Sequence, residues 1–323
     1  MDMSTTDIVL IIVSGGDIAS TNQADFLLEK FAWEPIDRVE ELEAYSHQNI
    51  RMWIHPGGVL YEDDLDLRWE EATGERVVEA IFPSRHSAKS GNPSLTLHPI
   101  GVPQLDFDEV APFGGKSGNS PPPSPRLATW WRAMSGLVSG STIESEFDLS
   151  LEVTHHGPWI NVPSLFVEVG STEKTWGHKG AAEILANLIA QGLGMNGGEE
   201  LGKWDSKLNS GETVVVTLGG GHYAPRANKL GSIEGLWIGH MLATYALPFN
   251  KPESTGEQPT GNWKNSINSA INSTKQAFPN GNVVCSMDKK AFKGWQRQAI
   301  REHLATINIP LLNTKALVEL SNK

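Results

Sequence analysis

The chain has 323 residues with 26 basic and 38 acidic side chains, a formal net charge of −12, and 39% apolar content. That balance excludes wholesale disorder, and 32 glycines with 19 prolines, lacking a collagen period, point to many structured loops. A single cysteine, Cys285, excludes a disulfide framework and a thiolate zinc ribbon, so any metal must be held by His, Asp or Glu.

In chain order, Ile8–Val13 (IVLIIV) is a continuous apolar, β-branched run, the pattern of a strand buried on both faces. It is too short for a membrane span or a signal segment and is flanked by Asp2 and Asp7, so a soluble cytoplasmic protein is expected. Ser14-Gly15-Gly16-Asp17 turns the chain into a helical pattern over Ala24–Phe31. Residues 1–80 form an acidic segment with 18 acids against 5 bases, whereas residues 81–323 carry 20 against 21. A phosphate-binding surface therefore has to come from the later residues. Val77–Phe82 reads as a strand and residues 114–125 (GGKSGNSPPPSP) as a flexible surface loop. Alternation over Phe147, Leu149, Leu151 and Val153 predicts a strand running toward Thr154-His155-His156, and Phe166–Val169 predicts another. His178–Gly192 has helical spacing, and Thr213–Leu218 (TVVVTL) is the cleanest buried strand. Ile233–Leu247 and Asp288–Ala305 read as helices, and Ile307–Leu312 as a closing strand. With no internal repeat, this alternation predicts one α/β domain over residues 1–323, a three-layer α/β/α sandwich.

Five of the ten histidines, His86, His98, His155, His156 and His222, fall at strand ends or in glycine- and proline-rich loops. Imidazole suits both metal ligation and proton transfer near neutral pH. In Glu152–Pro158 (EVTHHGP), a persisting strand would place Glu152, Thr154 and His156 on one face and His155 on the other. Glu168 lies between apolar neighbours in FVEV, where a buried carboxylate needs a cation, a metal or hydrogen bonds. These loops are expected to converge on one site through parallel strands, with Glu152 and Glu168 as its acids and His86 and His98 completing it. Gly219–Arg226 (GGGHYAPR) formally fits a dinucleotide-binding glycine pattern. That reading is set aside because Pro225 follows at once and no helix is expected to open there. There is no HExxH motif, and the absence of GxSxG and GxxxxGK[ST] argues against a classical serine esterase and a P-loop enzyme.

Four ordered motifs together resemble the archaeal and plant-type D-aminoacyl-tRNA deacylase family: Ser84–Ser90 (SRHSAKS) with Ser94–Pro99 (SLTLHP), Glu152–Pro158, Pro163–Trp176 (PSLFVEVGSTEKTW), and Gly219–Arg226. Lys289–Arg297 and Leu60–Gly74 look like the eukaryotic branch. One departure is Gly101-Val102, where the family usually has Gly-Asn. The resemblance implies a phosphorylase/hydrolase-like mixed sheet similar to peptidyl-tRNA hydrolase. It also implies a monomer with two Zn2+ per subunit that hydrolyses the ester of D-aminoacyl-tRNA, a chiral proofreading reaction, with removal of aldehyde-modified aminoacyl-tRNA linked to plant relatives. On that reading His155, His156, His222 and Glu168 are catalytic candidates, and His86, His98, Glu152, His155, His156 and His222 are metal-ligand candidates. The tRNA-phosphate candidates are Arg85, Lys89, Arg226, Lys229 and a basic helix with Lys289, Lys290, Lys293, Arg297 and Arg301. Two other classes remain open on the residues alone: a zinc peptidase or amidase, and a non-catalytic RNA-binding module.

Overall fold

A computed structural model describes residues 6–254 and 257–321. The strands are β1 (Asp7–Ser14), β2 (Glu34–Val39), β3 (Leu42–His47), β4 (Ile50–His55), β5 (Arg76–Arg85), β6 (Ser94–His98), β7 (Asp148–Leu151), β8 (Ser164–Gly170), β9 (Thr213–Leu218), β10 (Leu236–Leu242) and β11 (Asn282–Met287). The α-helices are α1 (Ile18–Lys30), α2 (Leu65–Thr73), α3 (Leu127–Val138), α4 (Glu173–Trp176), α5 (Lys179–Gly192), α6 (Pro225–Gly231), α7 (Trp263–Ala277), α8 (Gly294–Thr306) and α9 (Thr314–Ser321). Eight strands form a mixed sheet in the order β2-β3-β4-β1-β5-β8-β6-β7, and β10-β9-β11 form a second, parallel sheet.

The apolar run of β1 explains the layering. Val9, Ile11 and Val13 enter a core shared with α1, α3 and α5, while Ile8, Leu10 and Ile12 enter a second core with Leu65 and Trp69 of α2. Helices thus cover both faces of the large sheet, as an α/β sandwich requires. Burying six such side chains contributes roughly 10 kcal/mol before chain entropy is counted. Asp17 starts α1 by accepting from Ala19 N at 2.9 Å, and its other oxygen accepts from Arg85 N at 2.8 Å, tying the β1 turn to the end of β5. The first core also takes Val215, Ile238, Met241 and Val284 from the small sheet, so the two sheets share an apolar interior.

Several expectations change. Ile233–Leu247 is not a helix but strand β10 followed by a 3₁₀ turn over Thr244–Ala246; a short apolar run has no period that separates the two. Ile307–Leu312 forms only an isolated bridge between Leu311 and Cys285, because Pro310 interrupts it. The helix expected from Asp288 begins at Gly294, since Lys293 is extended (φ −67°, ψ 161°) and precedes it as the N-cap. Residues 114–125 are irregular, but Ser120–Pro125 are buried rather than on the surface: Ser164 N donates to Pro122 O at 3.1 Å and Ser124 N to Ser164 O at 3.0 Å. A helix does open after the triple glycine, with Pro225 in its first turn, where the missing N–H costs nothing.

Candidate metal centre and active site

The candidate residues meet over the face of the large sheet that carries Phe82 and Phe166. Glu168 is central: β8 pairs it with Ser84 of β5 on one side and Thr96 of β6 on the other. His86 follows β5 and His98 ends β6, so both imidazoles reach the Glu168 carboxylate, at 3.6 Å from Nδ1 and 3.5 Å from Nε2 respectively. β6 runs antiparallel to β8, and β7 follows β6. The convergence expected from parallel strand ends is therefore reached by another route, with two strands entering from the opposite direction.

β7 stops at Leu151, and the strand does not persist to His156. The alternation that would have sent His155 away from Glu152 is lost, and His155 Nε2 lies 3.7 Å from Glu152 Oε2. His156 adopts φ +42°, a left-handed conformation that costs a non-glycine residue about 1–3 kcal/mol. Its carbonyl is held by Gly101 N at 2.8 Å. Gly101 itself has φ +143°, and a Cβ there would lie 2.7 Å from Ser120 Cα. Two backbone bonds join this loop to the small sheet: Val153 N donates to His222 O at 2.9 Å and Thr154 N to Met241 O at 2.7 Å. They deliver His222, beyond the end of β9, to Glu152 Oε2 at 2.8 Å.

Protonation follows from the partners. His155 and His156 place Nδ1 at 2.7 Å from Val153 O and 2.6 Å from Gly157 O. A carbonyl only accepts, so Nδ1 carries the proton and Nε2 keeps its lone pair. Burial, then the neighbouring histidines, push His155 well below its usual range; burial and His98 bring His156 down to about 4. For His86 and His98 burial also opposes charge, but the facing carboxylates outweigh it and raise both. Glu168, despite burial, is held well below the carboxylate range by His98 and His86. The two pairs of imidazoles are therefore shifted in opposite directions, set by which neighbour each ring faces.

The donor set suits a metal. Three triads, His98/His155/His156, His86/Glu152/His222 and His98/Glu152/Glu168, each bring one ligand atom per residue within 4.8 Å of the others. His98 Nε2 and Glu152 Oε1 are buried without a hydrogen-bond partner, the condition of atoms kept for a ligand. A cavity of ≈ 140 Å³ at the ends of β1 and β5 reaches His156 and Glu168, and Asp17, Ser84, Arg85 and Gly58–Leu60 also line it.

Residues 73–312, more than half of the chain, match the family model described as D-aminoacyl-tRNA deacylase. The chain belongs to the D-aminoacyl-tRNA deacylase family. A D-aminoacyl-tRNA deacylase of Arabidopsis thaliana is 43% identical over 94% of this chain and 97% of its own length. Another, from Thermococcus onnurineus, is 30% identical over 75% of this chain and 82% of its own. Among solved structures, the conserved protein of unknown function AF0625 covers 98% of each chain with a TM-score of 0.76 at 26% identity.

Within this deacylase-family chain, all seven histidine and glutamate candidates lie together. The basic candidates separate. Arg226, Lys289 and Lys290 line one cavity, Arg85 stacks on Trp176 at 4.7 Å beside another, and exposed Lys89 and Lys229 line neither. Lys289 and Lys290 sit in a 3₁₀ turn rather than a helix, Lys293 is the N-cap of α8, and Arg297 donates to Phe292 O at 2.7 Å and Lys289 O at 3.1 Å. Two hydroxyls touch the cluster: Tyr245 lies 3.2 Å from His222 Nδ1 and Tyr223 3.2 Å from His86 Nε2. The glycine turn before His222 already places Tyr223 at the lip of the site, whereas Tyr245 carries no local signal. Among the described residues no helix is long and apolar enough to cross a membrane.

Proposed function

We propose that this protein hydrolyses the ester joining a D-amino acid to the terminal ribose of tRNA, releasing both, with Zn2+ in the histidine–glutamate cluster. The observation that carries the reading is the fully buried Glu152 bridging His86 and His222, at 3.1 and 2.8 Å, beside two neutral histidines, in a chain of this family. His98/His155/His156 and His86/Glu152/His222 share no residue, which supports two ions per subunit. Bound there, zinc supplies polarisation of the ester carbonyl and an ionised water near neutral pH.

The protein's own residues do the rest. His155 and His156 present Nε2 lone pairs inward, locked by their carbonyl partners. Glu168, ionised, orients His86 and His98 and does not itself carry the proton. His222 stands at the mouth with Glu152 on one nitrogen and the exposed Tyr245 hydroxyl on the other. Hydrogen-bonded to Glu152 at the mouth of the cluster, it is placed to pass a proton to the departing ribose oxygen. The cavity beside His156 accommodates the aminoacyl end.

The test is hydrolysis of D-Tyr-tRNA and L-Tyr-tRNA with and without chelator, with zinc measured by elemental analysis. The D-isomer is cleaved much faster and chelator abolishes the rate. Equal rates for the two isomers would reject stereospecific deacylation, and chelator-insensitive hydrolysis by metal-free protein would reject the zinc assignment.

A further inference from the structure

A cavity of ≈ 580 Å³ lies outside the cluster, at the carboxyl end of β11, which pairs in parallel with β9, and at the start of α9. Carboxyl ends of parallel strands are where open α/β sheets take ligands. Its wall carries Arg226, Lys289, Lys290, Arg301 and Lys315 against one carboxylate, Asp288. In the N-terminal part of the chain, Arg51, Arg68, Arg76 and Arg126 each pair with a carboxylate. By contrast, among the described residues Arg226, Lys289, Lys290 and Arg301 form no ion pair, and Lys315 has only Glu319 at 3.9 Å. Asp288 is itself engaged, accepting from Lys290 N at 3.0 Å.

Arg226 is held by a neutral group. Its Nε and Nη2 donate to Ser286 Oγ at 3.2 and 2.8 Å, and that hydroxyl donates to Leu312 O at 2.9 Å. The guanidinium is oriented without being neutralised, the arrangement of a cation kept for an anion from outside. Such a concentration of unpaired positive charge in a chain of net charge −12 needs a reason.

Position supplies one. Arg226 follows His222 by four residues, at most about 14 Å of fully extended chain. The glycine turn between β9 and His222 rests on the cavity's own segment: a Cβ on Gly219 would lie 2.4 Å from Phe292 and 3.0 Å from Ala291. The cavity is thus a neighbour of the reacting ester, and its volume suits a nucleotide rather than a lone phosphate.

We infer that this cavity seats phosphate groups of the tRNA 3′ arm next to the aminoacylated ribose. The identity of the polyanion rests on the deacylase reading; the anion chemistry does not. Phosphates here place the ester against His222 while the acidic residues of the first 80 positions repel RNA elsewhere.

The test measures binding of uncharged tRNA by fluorescence anisotropy over a range of salt, in wild type, Arg301→Glu, Lys315→Glu and Arg226→Met. Lys207→Glu, in an exposed turn preceding β9, serves as control. Each cavity variant weakens binding roughly tenfold and lowers the salt slope by about 1 for every phosphate no longer neutralised, while the control matches wild type. Arg301 and Lys315 are exposed, so these reversals leave the fold intact. Equal affinity and slope in the variants overturns the proposal. AMP binding that is abolished in the variants, with tRNA affinity unchanged, assigns the cavity to a free nucleotide and also overturns it. Hydrolysis of D-Tyr-tRNA is scored separately: wild type that binds tRNA through these residues without cleaving it rejects the deacylase reading and leaves the cavity assignment standing.

Discussion

Replacing Glu152 by Gln tests whether the cluster is built for chemistry or for stability. The side chain is fully buried, with His222 Nε2 at 2.8 Å, His86 Nδ1 at 3.1 Å and His155 Nε2 at 3.7 Å. Glutamine keeps the shape but puts an amide where a carboxylate faces His222 and His86. Losing a carboxylate that holds a metal or orients a metal-ligating histidine costs about 10- to 100-fold in metal affinity or activity, about 1.4–2.7 kcal/mol, so kcat/KM should fall roughly 30-fold. Stability moves the other way or stays, because a buried carboxylate no longer has to be desolvated. The assay pairs kcat/KM on D-Tyr-tRNA with thermal denaturation of the same preparation. A rate within threefold of wild type would refute the argument, as would a fall in Tm large enough to account for the missing activity.

Three more outcomes follow from the geometry. His240 donates Nε2–H to Pro121 O at 2.9 Å and has Thr154 Oγ1 at 2.8 Å from Nδ1, and burial pushes it down to about 4 from 6.5. Between those values the unfolded chain binds a proton that the native state refuses. Stability is thus complete above pH ~6.5 and falls toward pH ~4 by about 3 kcal/mol, and His240→Gln flattens that slope in urea titrations at pH 7 and pH 5; identical slopes would count against a neutral His240. Arg126→Ala removes the guanidinium that reaches Glu79 at 2.6 Å and Glu200 at 2.5 Å, leaving buried Glu79 with the Ser124 hydroxyl but no cation; denaturant midpoints should show a loss of about 3–5 kcal/mol, and a loss under about 1 would contradict it. Gly101→Ala pushes a methyl group into Ser120 and shifts the hydrogen bond that holds the His156 carbonyl, so activity falls at least tenfold while far-UV circular dichroism is unchanged; full activity would show that the loop is held by other groups.

Much of this was legible in the sequence, for identifiable reasons. Continuous runs rich in β-branched residues, such as Ile8–Val13 and Thr213–Leu218, favour buried strands, and strands they are. Chemistry-bearing residues were legible too, since Glu168 between apolar neighbours demanded partners and found His86 and His98. Geometry was not. Nothing local says that β6 and β7 run against β8, and that reversal brings His98 to Glu168 and against the His155 ring. Helix α7 (WKNSINSAINSTKQA) escaped because asparagine and serine, which compete with helical hydrogen bonds, hide the buried stripe of Trp263, Ile267, Ala270, Ile271 and Thr274. The apolar segment of β10 has a length that fits helix or strand alike, and the close approach of Gly239 to Thr274 becomes visible only in three dimensions.

The seam between the sheets has a further consequence. Most of the cluster is anchored to the large sheet, whereas His222 arrives from the small one, and near the cluster the register between them rests on the Val153–His222 and Thr154–Met241 backbone bonds. Catalytic competence is then a property of the docked pair, possessed by neither half alone. Sub-global opening that slides one sheet against the other by an ångström breaks the Glu152–His222 hydrogen bond while leaving both apolar interiors folded. On heating, the enzyme should fall silent some degrees before it melts, and cooling should restore it without refolding.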